Sequence, residues 1–235
     1  MRRPQELKHV KAVIFDWDDT LSETGVLWLE AHREKLREHG IELETGAILS
    51  FFGNVDFAKD IGVEKFIVNG RQQSPTEVFA DVAEKAREKI KLLRVRTHIV
   101  EVLQHMKKRG IRLAVVSSSP RAILLDSIRD NGLEGVFDVV IAVEDVVHAK
   151  PNPEGILKAL TSIHILPEDA VMVGDSSSDV LAGEAAGTYT IRLMTELHKH
   201  DPKINYMQGK PDFIARTIAE AIDALFVKHQ SKKEQ

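Results

Sequence analysis

AVIFDWDDTL, residues 12–21, is the stretch from which the fold can be read. Ala12, Val13, Ile14 and Phe15 are four apolar residues in a row, the pattern of a strand buried on both faces. Asp16, Asp18 and Asp19 follow within four positions. Carboxylates this close repel one another, and burying them unpaired is costly. Either a positive group meets them or they lie in solvent.

The rest of the chain continues what this stretch begins. Further strand-like runs appear at Leu113–Val116, Val139–Val143 and Ala170–Val173, with another near Thr190–Leu193. Helical segments lie between them. SSSPRAILLDSIRDNG offers Ser119 as N-cap, Pro120 at the first helical position and Gly132 as a stop. PNPEGILKALTSI offers Asn152 as N-cap and Pro153 at the first position, with Ile156, Leu157 and Leu160 on one face. This alternation predicts an α/β protein, a doubly wound parallel sheet with helices on both faces.

Between the first two strands the pattern breaks. VLWLEAHREKLREHG reads as a helix with Val26, Leu29 and Leu36 inward and Gly40 ending it. SPTEVFADVAEKAREKI carries a capping box from Ser74 to Glu77, and Val78, Val82, Ala86 and Ile90 repeat every four residues. No strand stands out there, so an all-α insertion is expected. The expected organisation is a core of residues 1–22 plus 93–227, an inserted helical domain over 23–92 and a polar tail over 228–235.

Bulk properties narrow the classes. Of the 235 residues, 43% are hydrophobic and 29% charged, a globular balance. Lys plus Arg is 32 against 36 Asp plus Glu, a net charge of −4 that gives no sign of general nucleic-acid binding. The absence of cysteine excludes disulfides, thiolate metal sites and cysteine nucleophiles. MRRPQELKHV has no apolar run after its arginines and does not read as a secretory signal. No apolar stretch approaches the roughly 20 residues that cross a membrane. A cytoplasmic protein, monomer or homodimer, is expected.

In a doubly wound sheet, ligands gather at the carboxyl ends of the strands. Four unusual stretches fall there: DWDDT from Asp16 to Thr20, VVSSS with Ser117 and Ser118, HAKPNP with Lys150, and VGDSSSD with Asp175 and Asp179. Carboxylates without Cys or paired His ligands suit a hard cation, Mg²⁺ being usual beside phosphate. A lysine and serine hydroxyls suit phosphate oxygens. A carboxylate can be the nucleophile, passing through an aspartyl-phosphate. Asp16 and Asp18, two apart, point to the same side if the strand geometry holds, so one could attack phosphorus while the other handles protons.

DWDDT, VVSSS, AKPNP and GDSSSD, in this order, resemble the four motifs of the haloacid dehalogenase-like hydrolase superfamily. The similarity runs from Ala12 to about Gly187. The insertion matches the position of that superfamily's type-1 helical cap, as in its phosphoglycolate phosphatase and β-phosphoglucomutase branch. The resemblance implies a Rossmann-like core and Mg²⁺-dependent hydrolysis of a small phosphorylated metabolite. It implies Asp16 as nucleophile and Asp18 as general acid/base. Ser117, Ser118 and Lys150 would bind the phosphoryl group. Asp16, the backbone carbonyl of Asp18, and Asp175 would hold the metal. Asp179 would ligate it through water or orient Lys150, and Thr20 would brace the first loop. One departure is Asp19, where the family more often has Gly; its side chain must point away from the phosphate.

A sugar phosphomutase shares these motifs and the same first half-reaction. A dehalogenase is disfavoured by Asp18, the second acid that such members lack. A phospho-acceptor switch of the receiver type is disfavoured by the long insertion and by the early position of Asp16. Trp28, His32, Arg33, Lys65 and Arg71 are candidates for substrate contact from the insertion. His198 and His200 in ELHKHD, without a third ligand nearby, read as a solvated loop.

Overall fold

A computed structural model describes residues 10–38, 40, 42–45, 48, 84–85, 95, 97–195 and 209–226, with the backbone of 66–68 and 71–73. Its centre is β1 (Ala12–Phe15), all four residues fully buried. β4 (Arg112–Val116) pairs with it on one side and β6 (Ala170–Gly174) on the other, both parallel. β5 (Val139–Ile141), β7 (Tyr189–Leu193) and β8 (Phe213–Ala215) complete a six-stranded sheet in the order β5-β4-β1-β6-β7-β8. Every pairing in it is parallel.

Period-two alternation in β1 divides the core into two layers. Val13 and Phe15 pack with Ile99, Leu103 and Met106 of α2 (Thr97–Lys108), Leu124 and Ile128 of α3 (Arg121–Asp130), and Ile218 and Ile222 of α6 (Ile218–Phe226). Ala12 and Ile14 pack with Ile156, Ala159 and Leu160 of α4 (Glu154–Ile163) and Ala182 and Ala186 of α5 (Ser177–Ala186). A strand with apolar neighbours on both faces must lie inside a layered sandwich, as its unbroken apolar run predicts. The carboxyl end of β1 therefore opens where the sheet order reverses, between β4 and β6.

Several local readings are corrected. β7 begins at Tyr189 and β5 ends at Ile141, giving way to a 3₁₀ turn over Val143–Asp145. α3 begins after Pro120, which caps it without a side-chain bond, and Ser119 is not its cap. α4 begins after Pro153, and Asn152 Oδ1 accepts from the Glu154 amide at 3.0 Å. Leu157 is 40% exposed while Ile156 and Leu160 are buried, because Ala159 and Ile163 complete the inward stripe.

The insertion opens with α1 (Gly25–Glu38). Leu29 and Leu36 are buried with Gly25 and His32 on one stripe, whereas Val26 is 38% exposed, one position off it. The insertion also holds strands, against the all-α expectation. β2 (Phe66–Val68) and β3 (Arg71–Gln73) form an antiparallel pair with Val68 opposite Arg71. The sequence carries the signal: Asn-Gly, favoured in two-residue hairpin connections, stands between the two strands. Of the segment from Ser74 to Ile90, Glu84 and Lys85 are helical; the capping box lies outside the described residues.

Candidate active site

The first motif leaves β1 as a tight loop. Leu21 and Ser22 amides both donate to the Trp17 carbonyl at 3.0 Å. Trp17 anchors the loop from below: it is buried, donates from Nε1 to Ser127 Oγ at 3.2 Å and meets Phe137 edge-on. Asp19 adopts φ 59°, the left-handed region where Asp and Asn are tolerated better than most residues. Its carboxylate accepts the Gly25 amide at 2.6 Å. The side chain is thus spent on the start of α1, as the departure from glycine required.

Asp16 and Asp18 lie in different surroundings. Lys150 Nζ donates to Asp16 Oδ1 at 2.5 Å, to Asp179 Oδ1 at 2.6 Å and to the Val116 carbonyl at 3.1 Å. All three side chains are buried. Burial pushes the Asp16 carboxyl up to about 7; Lys150 pulls it down, while Asp179 and Asp18 push it further up. Burial works against the Lys150 ammonium too, but Asp16 and Asp179 outweigh it and hold its pKa above the ordinary value.

The Asp18 carboxylate sits instead among neutral donors. Oδ1 accepts from Thr24 Oγ1 at 2.5 Å and Trp28 Nε1 at 2.9 Å. Oδ2 accepts from Ser119 Oγ at 2.5 Å and Ser117 Oγ at 3.4 Å. Two elements supply these donors, the loop after β4 and the beginning of the insertion. Ser117 also accepts the Ser119 amide at 2.9 Å. Ser117, Ser118 and Lys150 line one small cleft beside β4.

The fourth motif supplies the remaining carboxylates. Ser176 caps α5, and Asp179 closes a capping box by accepting the Ser176 amide at 3.0 Å and hydroxyl at 2.6 Å. The other Asp179 oxygen accepts from Lys150 Nζ at 2.6 Å. Gly174 makes room: a Cβ there would stand 2.4 Å from Asp179 Cγ. Thr20 Oγ1 donates to Asp175 Oδ1 at 3.3 Å. Burial drives the Asp175 carboxyl well above its ordinary value, and Asp179, Asp19 and Asp16 add to it.

One oxygen each from Asp16, Asp175 and Asp179 lies within 4.8 Å of the others. An all-carboxylate set fits a hard divalent cation. Lys150 bonds Asp16 and Asp179 but not Asp175, which leaves Asp175 facing like charges that such a cation would offset. The Asp18 carboxylate, turned to its four donors, is outside this group. Only its backbone carbonyl remains for the metal role expected of it.

The insertion's candidates separate. Trp28 reaches the site through Asp18. His32 Nδ1 donates to the Trp28 carbonyl at 2.7 Å, and burial lowers its pKa, so it packs within α1. Arg33 donates to Thr45 at 2.7 Å and shares an outer face of α1 with Glu30, Glu34 and Arg37. Lys65, the Arg71 side chain, His198 and His200 lie outside the described residues. Ser119, Thr24 and Arg192 escaped the sequence reading. Arg192 had a signal, a charge inside the strand YTIRL. Ser119 and Thr24 had none, since hydroxyls near a strand end or helix start read as caps.

Comparison with known proteins agrees with this fold. The family model described as haloacid dehalogenase-like hydrolase matches residues 13–193. The chain belongs to that family of hydrolases. Pyrophosphatase PpaX of Bacillus cereus (strain ATCC 10987 / NRS 248) is 28% identical over 226 residues, covering 92% of this chain and 96% of that protein. CbbY from Rhodobacter sphaeroides, solved with phosphate, superposes with a TM-score of 0.76 at 22% identity, over 93% of this chain and all of that one. A predicted phosphoglycolate phosphatase from Haemophilus somnus gives 0.70 at 20% identity, over 91% and 96%. Among the described residues no helix is long and apolar enough to cross a membrane.

Proposed function

We propose that the chain hydrolyses a small phosphorylated metabolite through an aspartyl-phosphate on Asp16, with Mg²⁺ held by Asp16, Asp175 and the Asp18 carbonyl. The observation that carries the reading is the unlike treatment of two neighbouring acids. Asp16 is paired with an ammonium and grouped with carboxylates. Asp18 is held apart by two hydroxyls, an indole and a more distant serine. Such a split suits one acid to attack and the other to carry protons.

Asp16 attacks phosphorus, and the bond from phosphorus to the leaving oxygen breaks. Asp18, entering this step in its protonated form, gives its proton to that oxygen. Asp18, now a carboxylate, takes a proton from water as the water attacks the aspartyl-phosphate, releasing inorganic phosphate and restoring Asp16. Lys150, Ser117 and Ser118 bind the phosphoryl oxygens, and Asp179 keeps Lys150 aimed at Asp16. Bound Mg²⁺ would offset the repulsion between the anionic nucleophile and the anionic phosphate.

The similarity to PpaX places pyrophosphate among the first compounds to test. Purified protein with Mg²⁺ is assayed for phosphate release against pyrophosphate, phosphoglycolate and a range of sugar phosphates. Asp16→Asn serves as control. At least one compound is expected to turn over with wild type and none with the folded variant. Turnover retained by Asp16→Asn on a reactive aryl phosphate would remove Asp16 from the role of nucleophile. Transfer of the phosphoryl group to a sugar hydroxyl, with no phosphate released, would replace hydrolysis by phosphomutase chemistry.

A further inference from the structure

Arg192 is a charged residue where the sheet allows none without reason. It lies in β7, pairs in register with Gly174 at the end of β6, and is 1% exposed. Its neighbours along the strand, Ile191 and Leu193, are core residues. An arginine does not escape burial by losing its proton, so its charge must be met. The residue after Gly174 is Asp175, and Arg192 Nη1 donates to Ser177 Oγ at 3.5 Å, at the start of α5 between Asp175 and Asp179. Burial lowers the Arg192 pKa on balance, and those two carboxylates act against it.

We propose that Arg192 is a positioning residue, a fixed counter-charge behind the fourth-motif loop that holds Asp175 and Asp179 in place whether or not a divalent cation is bound in front of them. Lys150 neutralises the side of the cluster that faces Asp16 and Asp179. Arg192 would add a second positive charge for Asp175, which Lys150 favours through space but does not bond. The arrangement has two consequences. The loop stays folded between metal-binding events, where like charges would otherwise drive it apart. The same positive charge opposes the incoming cation and keeps its binding weaker than the carboxylates alone would make it.

The test compares Arg192→Met and Arg192→Lys with wild type. Thermal unfolding is measured in EDTA and in saturating Mg²⁺, and Mg²⁺ binding by calorimetry. Arg192→Met should lose on the order of 10 °C in EDTA. It should lose several degrees less in Mg²⁺, and the Mg²⁺ dissociation constant should fall by about tenfold. Arg192→Lys should recover most of both. An equal loss in the two conditions with unchanged Mg²⁺ affinity, or weaker Mg²⁺ binding, overturns the proposal and leaves Arg192 a packing residue.

The Mg²⁺ arm rests on the metal reading of the site; a second arm in EDTA does not. There the loss caused by Arg192→Met is compared in wild-type and Asp175→Asn backgrounds. It should be clearly smaller in the second, because the charge it serves is gone. Equal losses overturn the proposal even if the metal reading stands. If Arg192→Met alone yields no folded protein, recovery of folding by added Asp175→Asn supports the counter-charge, and failure to recover overturns it.

Discussion

Replacing Lys150 by methionine tests the electrostatic logic of the site most directly. The ammonium bonds Asp16, Asp179 and the Val116 carbonyl, with side-chain exposures of 6% for Lys150, 9% for Asp16 and 1% for Asp179. Methionine fills similar space but leaves two buried carboxylates without their partner. Breaking a buried ion pair from one side costs about 3–5 kcal/mol. With a slope near 3 kcal/mol/M, that is a fall of roughly 1 M or more in the urea midpoint.

The loss should depend on pH, and its sign follows from Asp16. Burial raises its carboxyl from 3.8 to about 7 even though Lys150 pulls it down. A raised acid costs the folded wild type stability progressively between those two values, because there the folded state holds a proton that the unfolded chain has released. Without Lys150 the carboxyl rises further. Below about pH 7 it is protonated in both folded proteins, and the loss of the Asp179 partner dominates. Above about pH 7 the folded variant keeps a proton that wild type has given up, so the gap between them widens by about 1.4 kcal/mol per unit of further shift. Urea unfolding in EDTA at pH 6, 7, 8 and 9 measures it. A loss under about 1 kcal/mol at pH 8, or one that does not grow between pH 7 and 9, refutes the reasoning.

The other predictions concern the metal, the fourth motif and the insertion. EDTA should abolish phosphate release and added Mg²⁺ restore it, with Zn²⁺ a poor substitute for an all-oxygen site; full turnover in chelator would show that Lys150 and Arg192 suffice as cations. Gly174→Ala places a methyl group 2.4 Å from Asp179 Cγ; moving Asp179 off Lys150 should cost about 1–3 kcal/mol and lower kcat/KM by about 10² or more, and a fully active variant would show that Asp179 need not hold Lys150. Trp28→Phe keeps an aromatic ring but loses the donor to Asp18; kcat/KM should fall about tenfold for alkyl phosphates and little for p-nitrophenyl phosphate, whose leaving group needs no proton. Equal losses on both would assign Trp28 to packing.

How far the sequence reached is seen by following single residues. Ala12–Phe15 declared themselves a buried strand because an unbroken apolar run at a strand's length has few other places to go. The four motifs were legible because each couples a strand end to polar residues in a fixed local order, and proximity at the carboxyl edge then follows from parallel pairing. Asp19 was foreseen to turn away, since an anion beside the phosphate would oppose binding.

Other features depended on distance in the chain. Ser119 was read as a helix cap from its neighbours, yet its hydroxyl goes to Asp18, 101 positions away. Trp28 and Thr24 find the same carboxylate from the insertion, a choice that no helical periodicity records. The β2–β3 pair was missed because two three-residue strands are too short for an alternating pattern to stand out, although Asn-Gly marked the connection. Arg192 was passed over in the sequence, and its place became intelligible only once β7 was aligned with β6, which sets it level with Gly174, one residue before Asp175. The sequence by itself determined the layered α/β core and the chemical inventory of the site, because these rest on local apolar runs and on residue types. The tertiary structure alone decided which oxygen meets which donor, because hydrogen-bond and ion partners a hundred residues apart are selected by sheet register and loop geometry, which local composition does not encode.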